Sequence, residues 1–250
     1  MTNPLSNIPH LESSNSLKSQ YPFKIKKPLL YSMSALFVGA PGSGKTSLVT
    51  SLLLSHPTRQ NPKHPLYYYR FFDSVYIVSG SLQTLDIESF GLPENQVSDH
   101  YSEDVLIDIL DELKQSDNGN SLVWLDDVIV DLSSADRTLN TAILNRRHIT
   151  QNDKDNTRAE LSIWVSTQKY NMLPLRYRTN ITAFFLFETS NKSELTSIRN
   201  ELLGDLTRSQ QDAVFELCWS EPHSFLYINT VAKKGERLHC RFDRIEIPSE

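Results

Sequence analysis

The residues with the clearest chemical meaning lie together in one short stretch, VGAPGSGKTS, at positions 38–47. Three glycines are spread through it, and a lysine then precedes two hydroxyl side chains. This order matches the pattern G-x-x-x-x-G-K-[ST] at every required position. Glycine backbone lets consecutive N–H groups turn toward phosphate oxygens, and a helix that begins at the loop adds the positive end of its dipole. We therefore predict a loop that binds the phosphates of ATP.

The pattern gives particular side chains of this loop separate roles. Lys45 is expected to reach the β- and γ-phosphates as a catalytic residue, and the Thr46 hydroxyl is expected to ligate Mg²⁺. The predicted nucleotide-binding residues are Gly39, Ala40, Pro41, Gly42, Ser43, Gly44, Lys45, Thr46 and Ser47. The alternative is a glycine-rich turn that happens to precede Lys-Thr. That alternative is disfavoured because the loop lies between a strand pattern, SALFVG, and a helix pattern, TSLVTSLLLS.

A pair of carboxylates follows another apolar run, LVWLDD, at positions 122–127. A phosphate site with a metal ion needs acidic groups of this kind at the end of a strand. We predict that Asp126 contacts Mg²⁺ through water and that Asp127 is the catalytic base that orients the attacking water. The alternative is a helix N-cap after a core strand, for which one carboxylate would suffice.

Gln168 ends the next apolar run, LSIWVSTQ. In P-loop ATPases with an additional strand between the P-loop strand and the acidic strand, a polar residue at this point senses the γ-phosphate and positions water. We predict that catalytic role for Gln168 because its strand follows LVWLDD in the chain. The alternative is an ordinary strand-end amide that faces solvent.

The predicted site lacks a positive charge opposite the γ-phosphate. In oligomeric ATPases a neighbouring subunit supplies that charge as an arginine finger. The candidates are Arg146, Arg147, Arg176 and Arg178, of which Arg147 and Arg178 are the predicted catalytic residues. The alternative for each of them is a surface salt bridge.

Strand and helix patterns alternate from residue 34 to residue 203, which indicates βαβ units and a mainly parallel sheet flanked by helices. The segment at about 224–247 predicts a C-terminal β-hairpin around KKGE. The predicted fold class is therefore α/β: a P-loop NTPase of the RecA-like, additional-strand type. We predict a flexible tail at 1–22, which is rich in Ser, Asn and Pro, and a single domain at 23–250.

Composition narrows the classes of function. The 250-residue chain has a formal net charge of −5, which excludes a uniformly basic surface for nucleic acid but not a local one. Basic residues gather at 24–27, 137–148 and 233–244. No apolar run approaches the ~18 residues that span a bilayer, and no signal peptide is evident, so we expect no membrane insertion. Two cysteines do not make a disulfide framework, which favours a reducing compartment.

The ordered segments GAPGSGKTS, LVWLDD, RRHIT, WVSTQKYNMLPLRYRTN and SFLYIN resemble the viral DNA-packaging ATPases of the FtsK–HerA superfamily. The similar branch is the poxvirus-type packaging ATPase of large DNA viruses, virophages and polinton-like elements. The resemblance covers about residues 30–230, and its most specific part runs from Arg147-His148 through Gln168 to Arg178-x-Asn180. The wider superfamily usually carries Asp-Glu where this chain has Asp126-Asp127, and the loop at 151–156 looks longer than is typical.

The resemblance implies a ring, commonly a hexamer, that hydrolyses ATP with Mg²⁺ and moves double-stranded DNA into a preformed capsid without reading its sequence. It also implies a capsid or portal partner and a location in the host cytoplasm, at the viral factory, or in the virion. Two alternatives stay open. A nucleoside or nucleotide kinase shares GxxxxGKT, and a non-motor assembly ATPase would bind ATP without stimulation by DNA.

Overall fold

The apolar runs of the sequence become the strands of one sheet in the computed structural model, which describes residues 28–54, 68, 70–115, 119–128, 137–149 and 160–247. The predicted tail at 1–22, the basic cluster at 24–27 and the loop at 151–156 lie outside these residues. No helix in the described ranges is both long and apolar enough to cross a membrane.

Nine strands are described: β1 (Ser34–Val38), β2 (Ser74–Ser79), β3 (Val97–Ser98), β4 (Ser121–Asp126), β5 (Leu161–Thr167), β6 (Ala183–Phe187), β7 (Phe225–Asn229), β8 (Leu238–Cys240) and β9 (Asp243–Arg244). The α-helices in the same ranges are α1 (Lys45–Leu54), α2 (Glu103–Gln115), α3 (Thr138–Ile149), α4 (Leu175–Arg178), α5 (Lys192–Leu202) and α6 (Arg208–Cys218).

The strands join in the order β3-β2-β4-β5-β1-β6-β7-β8-β9. All strand pairs from β3 to β6 in this order are parallel, whereas β7, β8 and β9 continue the sheet in antiparallel pairs. The additional strand is β5, because it pairs with both the P-loop strand β1 and the acidic strand β4. The predicted fold class is confirmed, including the C-terminal hairpin of β7 and β8.

The central strands are buried on both faces, which explains why they are continuous apolar runs rather than alternating ones. Along β4, Val123 and Leu125 pack into a cluster with α2, α3, α5 and α6. Leu122 and Trp124, which point the other way, pack into a second cluster with α1 and the aromatic side chains of β1, β5 and β6. Asp126 has the same parity as Trp124 and therefore points to the face that α1 covers.

The differences from the predicted elements concern short segments. The two-residue strands β3 and β9 and the four-residue helix α4 were not predicted, because so few residues carry no measurable period. Helix α3 is described from Thr138 to Ile149. Ser102 caps α2, since its Oγ accepts a hydrogen bond from Val105 N at 3.1 Å.

Candidate functional site

The loop between β1 and α1 turns on two glycines whose backbone is left-handed. Gly42 has φ 76° and Gly44 has φ 104°, conformations that glycine adopts without a steric cost. Gly39 is required for a different reason: a Cβ there would lie 2.8 Å from Phe187 Cβ and would clash with Ser43 Oγ. The next helix begins at Lys45, so the first N–H groups of α1 have no intrahelical acceptor and are available to an anion.

Lys45 is buried although its side chain carries a charge. Its Nζ donates to Gly39 O at 2.6 Å and to Ala40 O at 3.3 Å, which folds the side chain back along the loop. Burial lowers the pKa of Lys45, and the carboxylates of Asp127 and Asp126 oppose that change. The lysine and the two carboxylates therefore share one electrostatic environment. Thr46 is half-buried beside Lys45, and Ser47 is exposed.

Asp126 is the last residue of β4 and is only 2% exposed. Its Oδ2 accepts a hydrogen bond from Ser79 Oγ at 3.3 Å, whereas Oδ1 has no hydrogen-bond partner among the described residues. Burial raises the pKa of Asp126, and the neighbouring Asp127 carboxylate raises it further, against the opposing effects of Ser166, Ser79 and Lys45. A buried oxygen without a partner fits the predicted contact with a water molecule on Mg²⁺, because such an oxygen needs a donor.

Asp127 follows the strand in a left-handed backbone conformation, with φ 53°. Its N–H donates to Ser166 O at 3.1 Å, so the turn is held by β5. Aspartate and asparagine tolerate this conformation better than most residues do. Asp127 is half-buried and directly follows the acidic strand.

Gln168 lies at the carboxyl end of β5, between the P-loop and the acidic pair. The preceding residue, Thr167, accepts a hydrogen bond from Gly39 N at 3.1 Å. Across β5 from the P-loop strand, Asp126 is paired in register with Ser166. Gln168 is exposed and follows directly. The structure thus brings Lys45, Asp126, Asp127 and Gln168 to one edge of the sheet.

The structure does not bring the predicted arginines to that edge. Helix α3 returns the chain from the end of β4 to the start of β5, so Arg147 in its last turn lies at the opposite edge. The length of β5 separates the two edges by roughly 20 Å. Arg147 is exposed, whereas its neighbour Arg146 is buried, and burial lowers the pKa of Arg146. Arg147 as a finger would therefore have to act on a neighbouring subunit.

Arg178 is engaged inside its own chain. Its Nε and Nη2 donate to the two carboxylate oxygens of Glu201 at 2.9 and 2.7 Å, and its Nη1 donates to Leu173 O. The guanidinium also lies 4.6 Å from the ring centroid of Tyr170. A finger role for Arg178 stays a prediction that would require this bidentate pair to open. Arg176 likewise donates to Tyr177 Oη at 2.8 Å.

Two sets of residues around the site were not predicted. Ser79 and Ser166 flank Asp126 on the neighbouring strands, and Ser166 Oγ also accepts from Trp124 Nε1 at 2.9 Å. The sequence does place a hydroxyl side chain near the end of each of these two apolar strands, and that pattern could have predicted them. The other is His223, whose Nδ1 lies 3.1 Å from Ser43 O. No local signal could have found it, because the two residues are 180 positions apart.

The fold and the loop define this chain as a P-loop NTPase in structure, of the type in which an additional strand separates the P-loop strand from the acidic strand. No protein-family model and no curated protein matches the sequence.

Solved structures with this fold include the genome packaging NTPase B204 from Sulfolobus turreted icosahedral virus 2. Its complex with AMP has a TM-score of 0.62 at 15% sequence identity, and the match covers 87% of this chain and 100% of that one. Its complex with ATP-γ-S has a TM-score of 0.59 at 13% identity, with the same coverage. The structure of B204, the DNA-packaging ATPase from Sulfolobus turreted icosahedral virus, has a TM-score of 0.59 at 13% identity. The match covers 84% of this chain and 97% of that one. At this identity the similarity concerns the fold.

Proposed function

We propose that this chain is an ATP-hydrolysing, double-stranded DNA translocase that packages a viral genome into a preformed capsid. The observation that carries the proposal is the position of β5, which places Gln168 between the P-loop on β1 and the carboxylates after β4. That arrangement joins phosphate binding to groups that can position and deprotonate water. The fold of a genome packaging NTPase supports the coupling of hydrolysis to DNA.

In this proposal each residue of the site has a separate role toward bound ATP. The backbone of the loop holds the phosphate chain, Lys45 neutralises charge on the transferred phosphoryl group, and Gln168 orients the attacking water. Asp127 accepts a proton from that water. Mg²⁺ would be held by Thr46 and, through water, by Asp126, and it would supply charge stabilisation to the phosphates.

DNA would be held through its phosphates by exposed cations, without contacts to bases. A basic cluster occupies the sheet edge opposite the P-loop: the β7–β8 turn, where Lys233 and Lys234 are exposed. We propose that a ring of subunits, expected to be a hexamer, arranges such clusters around the DNA, and that a capsid or portal protein receives it.

The test is ATP hydrolysis measured with and without double-stranded DNA of unrelated sequences, over a range of protein concentrations. A mass measurement in the presence of a non-hydrolysable ATP analogue determines the oligomeric state. We expect turnover to rise with DNA, to fall with added salt, and to depend on protein concentration as rings form. Lys45→Ala is the control and should abolish turnover. Turnover that does not change when DNA is added would instead favour a non-motor assembly ATPase. Phosphoryl transfer to a small acceptor molecule would favour a kinase.

A further inference from the structure

His223 is an exposed side chain that lies directly against the phosphate-binding loop. It belongs to the turn between α6 and β7, and its backbone is left-handed, with φ 61°. Its Nδ1 is 3.1 Å from Ser43 O, and a Cβ placed on Gly44 would lie 3.5 Å from both Cβ and Nδ1 of His223. The imidazole therefore packs along the loop from Ser43 to Gly44, although it comes from the distal part of the chain.

The contact with Ser43 fixes which nitrogen of the ring carries the proton. A carbonyl oxygen only accepts hydrogen bonds, so Nδ1 must be protonated and must donate to it. In the neutral ring Nε2 is then an acceptor, on the other side of the imidazole from the loop. An exposed acceptor fixed in place beside a phosphate loop suits a ligand group that donates a hydrogen bond.

The position of His223 in the sheet order indicates which part of a nucleotide it meets. Asp126, Asp127 and Gln168 lie on the β4 and β5 side of the P-loop and mark the end at which the γ-phosphate is cleaved. His223 precedes β7 and lies on the other side, beyond β6. Because the phosphate chain must run along the loop from the cleavage end, the nucleoside half extends toward β6 and β7.

We propose that His223 completes the site by accepting a hydrogen bond, through Nε2, from a ribose hydroxyl or from the exocyclic amino group of the base. This inference rests on the proposed function, since it assumes that the loop binds ATP. It assigns the nucleoside half of the site to the turn before β7, where His223 directly precedes the segment SFLYIN and lies outside the P-loop and the acidic motif.

The experiment compares two ligands that share the phosphates and differ in the nucleoside. Dissociation constants of ATP and of inorganic tripolyphosphate, both with Mg²⁺, are measured calorimetrically for the wild type, His223→Asn and His223→Ala. Asparagine tolerates the left-handed backbone, and its amide can donate to Ser43 O, but nothing in it replaces Nε2. We expect both variants to bind ATP about 3- to 10-fold more weakly, the effect of one hydrogen bond, and to bind tripolyphosphate as the wild type does.

The matched control is His100→Ala, an exposed histidine beyond the outer strand β3, which should leave both ligands unaffected. An equal loss for ATP and tripolyphosphate would show that His223 only supports the loop, and no loss for ATP would show that it makes no contact; either result overturns the inference. Where the ATP effect appears, 2′,3′-dideoxy-ATP and purine riboside triphosphate identify the donor, because the analogue that lacks it becomes insensitive to His223→Asn.

The wild type separates failure of this inference from failure of the proposed function. If it binds and hydrolyses ATP, and Lys45→Ala loses both ATP and tripolyphosphate binding, an unchanged His223→Asn variant refutes only the role of His223. If the wild type binds neither ligand, the P-loop proposal and this inference are both refuted.

Discussion

Asp126 is a buried carboxylate whose negative charge is costly for the fold and is required by the proposed chemistry. Its pKa is raised, mainly by burial, so the folded chain binds this proton more readily than the unfolded chain does. By linkage, the ionised Asp126 lowers stability at a pH above its folded-state pKa, and that loss is recovered as the pH falls through the same pKa.

We therefore expect Asp126→Asn to raise the Tm of the protein without nucleotide at pH 7. The gain should shrink as the pH falls from the raised pKa of Asp126 toward the range of an ordinary carboxyl group, because the wild type then becomes protonated as well. Hydrolysis should fall about 10- to 100-fold, as is usual when a group that orients a metal ligand is lost. Thermal unfolding from pH 4 to pH 8 together with an ATPase assay checks both parts. A lower Tm at neutral pH would contradict the assignment of Asp126 as a buried charge that lowers stability.

A substitution at Asp127 separates an effect on hydrolysis from an effect on the fold more clearly. Asparagine adopts the left-handed conformation of Asp127 as readily as aspartate does, so Asp127→Asn should keep the turn and its bond to Ser166 O. We expect ATP binding to be retained and turnover to fall by about 100-fold or more, the usual contribution of a general base. Binding by calorimetry and turnover by phosphate release are the two measurements. If binding were lost as well, Asp127 would be a metal or structural group instead.

At the scale of elements, the ion pair between Arg178 and Glu201 joins α4 to the last turn of α5. The Arg178 side chain is 8% exposed and the Glu201 side chain 25%, and Tyr170 Oη donates to the same carboxylate at 2.8 Å. Burial and this hydrogen bond raise the pKa of Tyr170, so the phenol stays a donor. The three side chains form a polar cluster that joins α4 and α5 to the segment after β5.

We expect Arg178→Ala to lower the free energy of unfolding by about 1–3 kcal/mol, because Glu201 would be left without its charged partner. For a chain of this length that corresponds to a fall in Tm of about 2–4 °C for each kcal/mol. Arg147→Ala is the matched control, since an exposed arginine should change stability by less than about 0.5 kcal/mol. Urea unfolding of both variants measures the difference, and equal stabilities would show that the pair contributes nothing.

The elements also show which features of the site a local sequence pattern can predict. The P-loop, the acidic pair and Gln168 were predicted because each depends on a few consecutive residues at the end of an apolar strand. The pairing of Arg178 with Glu201 was not, because a sequence does not reveal which carboxylate a given arginine will meet. His223 and Ser43 are a stronger example, since only the antiparallel addition of β7 to β6 brings them together.

At the scale of the whole molecule, the arginines test whether the site is completed between subunits. Arg147→Ala should reduce ATP hydrolysis by about 10³-fold or more if its guanidinium stabilises the transition state in a neighbour. Mixing this variant with Lys45→Ala should restore part of the activity, because the Lys45→Ala subunit still supplies Arg147 to an intact P-loop. Steady-state turnover across mixing ratios is the measurement.

Arg178→Ala mixed with Lys45→Ala provides the comparison for that experiment. Its ion pair lies within one chain, so mixing should restore nothing beyond the activity of the separate proteins. Recovery with Arg178→Ala and none with Arg147→Ala would reverse the assignment of the finger.

The strand that carries the P-loop precedes both of its sheet neighbours by more than a hundred residues. β1 is the first strand described, yet its partners are β5 and β6, and the contacts that join its start to them span 129 and 148 residues. Contacts at such separation slow folding, since a long loop must close before any pairing energy is gained. A nascent chain that ends before residue 161 carries the complete GAPGSGKTS sequence on a strand with neither neighbour. We therefore expect competence to bind ATP to arise only after β5 and β6 have been synthesised, and until then β1 is an apolar, unpaired strand prone to aggregation.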